Sequence, residues 1–165
     1  MTEKIPLRQI RFRKATLDDL DAVVENRIAF QRVMQQADDP AEIREMRRSL
    51  RAFFSRTLPN GVCVFYLAEY EGRIIGSGST IYREQAGLFG LVDGRTGYIF
   101  NMFTLPEYRG NGIAKKIVAL LIADAKSRGV EKLELHAAPL AEPIYRSFGF
   151  VEPESRFLEL KIPAE

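Results

Sequence analysis

Arg109-Gly110-Asn111-Gly112-Ile113-Ala114 is a glycine-rich stretch that stands between a run typical of a strand and a run typical of a helix. The run before it, residues 97–104, is apolar and aromatic. After it, apolar residues recur at positions 113, 114, 117, 118, 121, 122 and 125, which is helical spacing. Glycines let a ligand approach the backbone closely, and the unpaired N–H groups of a first helical turn attract negative charge. The stretch therefore predicts an anion-binding cradle suited to a pyrophosphate.

The spacing of this cradle distinguishes it from two common nucleotide-binding motifs. G-x-G-x-x-G is absent because Lys115 stands where the third glycine would be, and G-x-x-x-x-G-K-[ST] is absent as well. The pattern Arg109-x-x-Gly112-x-Ala114 resembles motif A of the Gcn5-related N-acetyltransferases, [QR]-x-x-G-x-[GA]. In that family the loop binds the pyrophosphate of acetyl-coenzyme A. The resemblance implies that the donor is bound by Arg109, Gly110, Asn111, Gly112, Ile113 and Ala114. The plainer alternative is a glycine-rich surface turn ahead of a helix.

The order of predicted elements is β-α-α-β-β-β-α-β-α-β. Strands are predicted over 9–14, 62–69, 73–82, 97–104, 132–137 and 156–161, and helices over 17–34, 40–56, 113–128 and 141–148. An antiparallel meander followed by a β-α-β crossover implies one parallel pair. The same element order characterises the acetyltransferase family. We therefore expect a single α+β domain over residues 1–165, with a mixed, mostly antiparallel central sheet, a parallel pair at the coenzyme-binding β-α-β unit and about four flanking helices.

A second family-like motif lies about thirty residues downstream. Ala141-x-x-x-Tyr145-Arg146-Ser147-Phe148-Gly149-Phe150 resembles A-x-x-x-Y-x-x-x-G-F, in which the tyrosine faces the coenzyme sulfur and acts as a general acid. The resemblance implies that role for Tyr145, because a phenol can hydrogen-bond or protonate the thiolate that leaves a thioester. The alternative is that Tyr145 is only a packing aromatic. Ala138 departs from the asparagine that many members have seven residues before the tyrosine, so one side-chain contact with the coenzyme is missing.

The strand before the cradle is expected to complete the coenzyme site. In the family this strand splays from the next one, and the pantetheine arm pairs with the freed backbone. By position, the resemblance implies that the backbone of Met102, Phe103 and Thr104 fills this role. Backbone donors there could also polarise the thioester carbonyl. Asn101, a lone polar residue in an apolar strand, either orients the acceptor or a water or, as we favour, finds a structural partner.

The general base is left open by the sequence. An amine is protonated at neutral pH and must lose a proton before it attacks. Glu69, Glu134 and His136 lie in or beside predicted strands and could take that proton, directly or through a water.

The acceptor is expected to be a small-molecule or peptide amine, not identified further by the sequence. Five arginines on the second predicted helix could attract an acidic acceptor: Arg44, Arg47, Arg48, Arg51 and Arg56. We favour a solvated helix face, partly paired with Glu42 and Glu45 at helical spacing.

Composition excludes several other classes of function. The chain has 165 residues, of which 46% are hydrophobic and 28% charged, and its net charge is only +2. This balance gives no reason to expect nucleic acid or membrane binding, and neither a signal core nor an apolar run of ~20 residues is present. Cys63 is the only cysteine, in an apolar run, which predicts a buried thiol and no disulfide. We expect a cytoplasmic protein without a metal, and a homodimer is left open.

The leading hypothesis is an acetyl-coenzyme A-dependent N-acetyltransferase in which an amine attacks the donor directly in a ternary complex. Acetyl-coenzyme A would be the cosubstrate, with other acyl groups left open. The alternative is a non-catalytic acyl-coenzyme A-binding regulatory module. A third reading, binding of another phosphate ligand by the same loop, is weaker.

Overall fold

One five-stranded sheet with helices on both faces forms the core of the computed structural model, which describes residues 4–154, 156 and 158–162. The strands lie in the order β1 (Arg11–Lys14), β2 (Cys63–Tyr70), β3 (Arg73–Glu84), β4 (Arg95–Thr104) and β5 (Lys132–Leu135). The helices are α1 (Leu20–Gln35), α2 (Pro40–Thr57), α3 (Ile113–Ser127) and α4 (Glu142–Arg146), with 3-10 turns at Leu7–Gln9, Leu17–Asp19 and Pro106–Tyr108. The first three strand pairings are antiparallel and β5 is parallel to β4. The predicted fold class is confirmed. None of the described helices is long and apolar enough to cross a membrane.

Local capping chemistry fixes where the elements begin. The Thr16 and Asp19 side chains cap each other's backbone ahead of α1, and the Asp39 carboxylate accepts from the first turn of α2. Glu71 and Gly72 have φ angles of 50° and 76° and form the two-residue turn between β2 and β3. These predicted boundaries are confirmed to within a few residues.

Each face of the sheet buries its own hydrophobic cluster. On one face α3 packs on the sheet with the buried residues Ile113, Ile117 and Leu121, together with Ile75 and Ile99. On the other face α1 and α2 pack on β2 with the buried residues Val23, Val24, Ile28, Phe54, Phe65 and Leu67. We call these the α3 face and the α1 face. Cys63 belongs to the second cluster, and burial raises the pKa of its thiol to about 12, as expected for an inert core cysteine.

Two glycines of β3 let α3 lie close to the sheet. A Cβ atom built on Gly76 would stand 2.7 Å from the Ile113 side chain, and one on Gly78 would stand 2.6 Å from that of Ile117. Real Cβ atoms do not approach so closely, so β3 presents bare backbone to the helix. This contact holds the first turn of α3 beside the end of β4.

The predicted last strand, residues 156–161, is wrong where it can be judged. Arg156 and residues 158–161 are not in a strand, while Ser155 and Phe157 lie outside the described residues. The alternating Leu158, Leu160 and Ile162 are between 84% and 88% exposed. Alternation alone does not make a strand, because a strand also needs a neighbouring edge that supplies hydrogen bonds.

Three other elements are shorter than predicted. The first strand begins at Arg11 rather than residue 9, because Leu7–Gln9 form a 3-10 turn. The fifth strand ends at Leu135 instead of 137, and the last helix spans Glu142–Arg146 instead of 141–148.

Candidate functional site

A bulge interrupts the pairing of β4 with β3. Ser79 pairs with Phe100 and Ser77 with Phe103, so Asn101 and Met102 together lie opposite the single residue Gly78. Asn101 has a φ angle of 58°, in the left-handed region that asparagine tolerates better than most residues. A bulge bends its strand and redirects the residues that follow.

Beyond the bulge, β4 leaves its parallel neighbour. The two strands pair only over residues 96–99, and the last pair is Ile99 with Leu135. Beyond this last pair a gap lies between β4 and the chain that follows β5. On the other side of β4, the Leu105 N–H donates to the Ile75 carbonyl at 3.0 Å. Because hydrogen-bonding direction alternates along an antiparallel pair, the Phe103 backbone faces β3, whereas the N–H and C=O groups of Met102 and Thr104 face this gap. Backbone groups that are not paired with β3 therefore border the gap at two of the three predicted positions, and of these the Thr104 carbonyl accepts from Arg109.

The glycine-rich loop has the geometry of an anion cradle. Gly110 and Gly112 have φ angles of 78° and 77°, which side-chain-bearing residues rarely adopt. The first hydrogen bond into α3 runs from the Lys116 N–H to the Gly112 carbonyl at 3.0 Å. The N–H groups of Ile113, Ala114 and Lys115 therefore precede it and point out of the helix end. The loop can offer several backbone donors to one anion.

Among the side chains of the loop, Arg109 is an exposed cation, whereas Asn111 and Ile113 make contacts within the protein. Arg109 is exposed, and its Nε donates to the Thr104 carbonyl at 3.1 Å, which ties the loop to the end of β4. The Asn111 amide accepts from the Ile5 N–H at 3.2 Å and donates to the Tyr108 carbonyl at 3.0 Å. The Ile113 side chain is buried in the core. Of the loop residues predicted to bind the donor, all but Arg109 can offer a ligand mainly their backbone.

The N-terminal segment, residues 4–10, packs against the outside of the loop. Ile5 and Ile10 are each 6% exposed and belong to the same cluster as Tyr108 and Ile113. The Lys4 Nζ lies 3.5 Å from the Gly110 carbonyl. No sequence pattern indicates this support, because Ile5 and Asn111 lie 106 positions apart.

Tyr145 lies on α4, which follows β5. The residue is 6% exposed, and its ring packs edge to face on Phe150 with centroids 5.9 Å apart. Burial raises the pKa of its hydroxyl to about 12, so the group is protonated at neutral pH. No described residue hydrogen-bonds the hydroxyl, which leaves it able to donate to a ligand. The carbonyl of Ala138 accepts from the first N–H groups of this helix region, at 2.9 and 3.0 Å.

Two of the three candidate bases lie beside β4. Glu134 pairs with Tyr98 across the parallel strands, and the Nδ1 atom of His136 lies 2.5 Å from the Tyr98 hydroxyl. Glu69 lies on β2, on the far side of β3, and its carboxylate accepts from Arg13 Nε at 3.1 Å. The structure thus separates Glu69 from the other two.

Asn101 finds partners that the sequence did not indicate. Its Nδ2 donates to Asn26 Oδ1 at 2.8 Å and to Ser77 Oγ at 3.2 Å, and Ser77 Oγ donates to the same Asn26 oxygen at 2.6 Å. Among the described residues, the buried Oδ1 of Asn101 has no hydrogen-bond partner. The network ties the bulge to α1, which agrees with the favoured structural role.

Arg27 of α1 is a further residue that sequence reasoning passed over. It is half-buried, and its guanidinium carbon lies 5.3 Å from the ring centre of Phe100 and 5.6 Å from that of Phe30. Burial lowers its pKa below the ordinary value of arginine. The sequence pattern could have marked Arg27, because it is a charged residue on a helix face that is otherwise apolar. The buried residues of that face are Val23, Val24 and Ile28.

The arginines of α2 mostly meet carboxylates. Arg47 pairs with Glu25 at 2.5 Å and Arg51 pairs with Asp21, both across to α1. Arg48 pairs with Glu45 at 3.4 Å, within the helix as expected. These pairs agree with a solvated, partly paired face, although two of the partners come from α1.

Comparison with known proteins identifies the family. The family model described as the acetyltransferase (GNAT) family matches residues 28–150. Among solved structures, a predicted acetyltransferase from Clostridium acetobutylicum with acetyl-CoA is 31% identical, with a TM-score of 0.82, covering 92% of this chain and 96% of that one. The fold is also similar to a GCN5-related N-acetyltransferase from Ralstonia eutropha (TM-score 0.77, 20% identity, 92% and 98% covered). A third similar fold is glucosamine-6-phosphate N-acetyltransferase from Arabidopsis thaliana (TM-score 0.65, 19% identity, 92% and 97% covered). A search of curated protein sequences found no match. The fold is thus shared with solved acetyltransferase structures, and the chain belongs to the GNAT acetyltransferase family.

Proposed function

We propose that this chain is an acetyl-CoA-dependent N-acetyltransferase that transfers the acetyl group to an amine by direct attack in a ternary complex. The observation that carries the proposal is that the backbone edge at the end of β4 continues into the backbone of the glycine loop. The backbone edge at Met102 and Thr104 is followed by the glycine loop, and Arg109 of the loop donates to the Thr104 carbonyl at 3.1 Å. Together they suit a long ligand with amides along its arm and a pyrophosphate at one end.

The chain's own groups fit such a donor. The N–H groups of the first turn of α3 and the positive end of its dipole favour the pyrophosphate, with Arg109 as a further cation. A side chain at either left-handed glycine would add strain and bulk at this point. The backbone of Met102 and the N–H of Thr104 are oriented to pair with the amides of a pantetheine arm as an added strand would. The residues proposed to hold the donor are Met102, Thr104, Arg109, Gly110, Asn111, Gly112, Ile113, Ala114 and Tyr145. Phe103, which the sequence also predicts, lies between the two strand positions with its backbone toward β3.

The proposed chemistry divides among few groups. When bound, acetyl-CoA supplies an activated thioester: the amine nitrogen bonds to the acetyl carbon, the carbon–sulfur bond breaks with its electron pair on sulfur, and the amine gives up a proton. Tyr145 donates a hydrogen bond to the departing sulfur. Because its pKa of about 12 exceeds the ~8.5 of an ordinary thiol, the thiolate takes a hydrogen bond more readily than the proton itself. Glu134 and His136, beside the gap, are better placed than Glu69 to receive the amine proton, directly or through a water.

Two measurements on the intact protein test this proposal. Acetyl-CoA at 100 times its Kd should stabilise the fold by about 2.7 kcal/mol and raise the melting temperature. Free-thiol release with a broad amine panel should then identify at least one acceptor. An unchanged melting curve at saturating acetyl-CoA would refute the donor site. Donor binding without thiol release from any amine would indicate a non-catalytic acyl-CoA-binding module instead.

A further inference from the structure

The α1 face carries a positive, aromatic surface immediately beside the bulge. Arg27 lies against the rings of Phe30 and Phe100, and Phe30 meets Phe103 edge to face with centroids 6.2 Å apart. Phe100 and Phe103 flank the bulge of β4 itself. Arg27 is therefore held within a few residues of the backbone edge that is proposed to carry the thioester.

The hydrogen-bonding groups of Arg27 are only partly used. With its amide oxygen turned toward Arg27, Gln31 accepts from both terminal nitrogens at 2.8 and 3.0 Å. This employs two of the five N–H groups of the guanidinium. No carboxylate among the described residues pairs with Arg27, whereas Arg47 and Arg51 each pair with one and Arg13 pairs with two. A half-buried cation without an anion is costly to desolvate, so an external anion would be a favourable partner.

The position of Arg27 suits contact with the second substrate. Helices pack on both faces, but on the α1 face Arg27, Phe30 and Phe103 stay half-buried, so an acceptor can reach the gap from that face. A second cation lies on β3: the guanidinium carbon of Arg83 is 5.2 Å from the ring centre of Tyr98. Like Arg27, it has no carboxylate partner in the described part of the chain. The local charge therefore favours an anionic acceptor although the whole chain is nearly neutral.

We propose, building on the function proposed above, that the acceptor amine carries a carboxylate and that this carboxylate pairs with Arg27. The aromatic rings lie beside the guanidinium, and Gln31 occupies the edge between its two terminal nitrogens. The edge formed by Nε and one terminal nitrogen remains, and a planar carboxylate matches it with two oxygens. Phe30, Phe100 and Phe103 would contact an apolar part of the same molecule. The acceptor class is thus an amino acid or a similar small amine that bears a carboxylate. Arg27 is a specificity-determining residue and takes no part in the bond changes.

Matched acceptors and variants test this assignment. Free-thiol release is measured with a panel of α-amino acids and with the corresponding α-amino amides, in which a neutral carboxamide replaces the carboxylate. For the wild type, kcat/KM for the best amino acid should exceed that for its amide about 10- to 100-fold. Arg27→Gln should remove this preference by raising KM for the amino acid, with kcat and the amide little changed. Arg27→Lys keeps the positive charge but lacks the planar pair of N–H donors that binds two carboxylate oxygens, so it should give an intermediate KM.

The matched control is Arg48→Gln, because that side chain is 82% exposed on α2 and should leave the preference unchanged. Equal kcat/KM for acid and amide in the wild type, or a preference that survives Arg27→Gln, would overturn the proposal. A preference for a phosphorylated amine that Arg27→Gln abolishes would also overturn it in favour of a phosphate.

A binding measurement separates this proposal from the proposed function. If acetyl-CoA raises the melting temperature but no amine releases thiol, transfer has failed and the same amino acids and amides are tested as ligands with coenzyme A present. A carboxylate-dependent rise in melting temperature for the wild type, absent in Arg27→Gln, would still support the anion site. The absence of such a rise in the wild type would refute it.

Discussion

Replacing Gly112 with alanine tests whether the glycine loop binds an anion. Comparison with the same replacement at Gly72, outside the loop, separates this effect from backbone strain. Gly112 has a φ angle of 77°, and an added Cβ would lie 3.6 Å from Leu7, an ordinary contact. Gly72, in the β2–β3 turn, has a φ angle of 76°, and its Cβ would meet nothing within 4 Å. The left-handed backbone costs an L-residue about 1–2 kcal/mol, partly offset by the reduced freedom of the unfolded chain. Gly112→Ala and Gly72→Ala should therefore each lose about 1 kcal/mol of stability, or about 2–4 °C in melting temperature.

Only Gly112→Ala should also weaken donor binding. Its methyl group would project at the mouth of the loop and displace a charge-assisted hydrogen bond worth about 1.5–3 kcal/mol, which corresponds to a Kd increase of about 10- to 100-fold. Isothermal titration with coenzyme A, together with unfolding curves, measures both effects, and Gly72→Ala is the control. If the two variants lose equal stability and bind coenzyme A as tightly as the wild type, the assignment of the loop as a pyrophosphate cradle is wrong.

Three further predictions concern single side chains. Tyr145→Phe should lower the turnover number about 10-fold or more with little change in the Kd of coenzyme A, and unchanged turnover would exclude its role toward sulfur. Asp124 is buried, which raises its pKa, but bonds from Lys14 and Tyr82 and the charge of Arg128 outweigh burial and hold the pKa below its ordinary value. Asp124→Asn should therefore cost about 1–2 kcal/mol at pH 7, and the difference from wild type should shrink as urea unfolding is repeated below about pH 4; a constant difference would contradict this reasoning. Cys63 should react with a thiol reagent only upon urea unfolding, and reaction in the native state would contradict its burial in the core.

Elements with local start and stop signals could be predicted from the sequence. The Thr16 and Asp39 caps and the Glu71-Gly72 turn act within a few residues of themselves, so their effect does not depend on the rest of the fold. The glycine loop belongs to the same class. Its place between β4 and α3 follows the sequence, while the roles of its residues and of Tyr145 toward the donor stay predictions.

The features that shape the gap depend on distant partners. Asn101 could be singled out as polar in an apolar strand, but its left-handed backbone is stabilised by Asn26 and Ser77, which lie 75 and 24 positions away. Arg27 likewise interrupts an apolar helix face, yet nothing near it in sequence shows that it meets Phe100 and lacks a carboxylate. Such residues can be flagged from periodicity, whereas their partners require the tertiary structure.

The bracing of the glycine loop by the N-terminal segment also has a consequence for how the protein is made. Ile5 and Asn111 are separated by 106 positions, so during synthesis all the residues between them are added before this hydrogen bond can form. Contacts of such long sequence separation are slow to close, because the entropy of a large loop is lost before they form. The loop is therefore braced only after Asn111 has been synthesised, and a nascent chain that ends before that residue lacks the surface on which Ile5 packs.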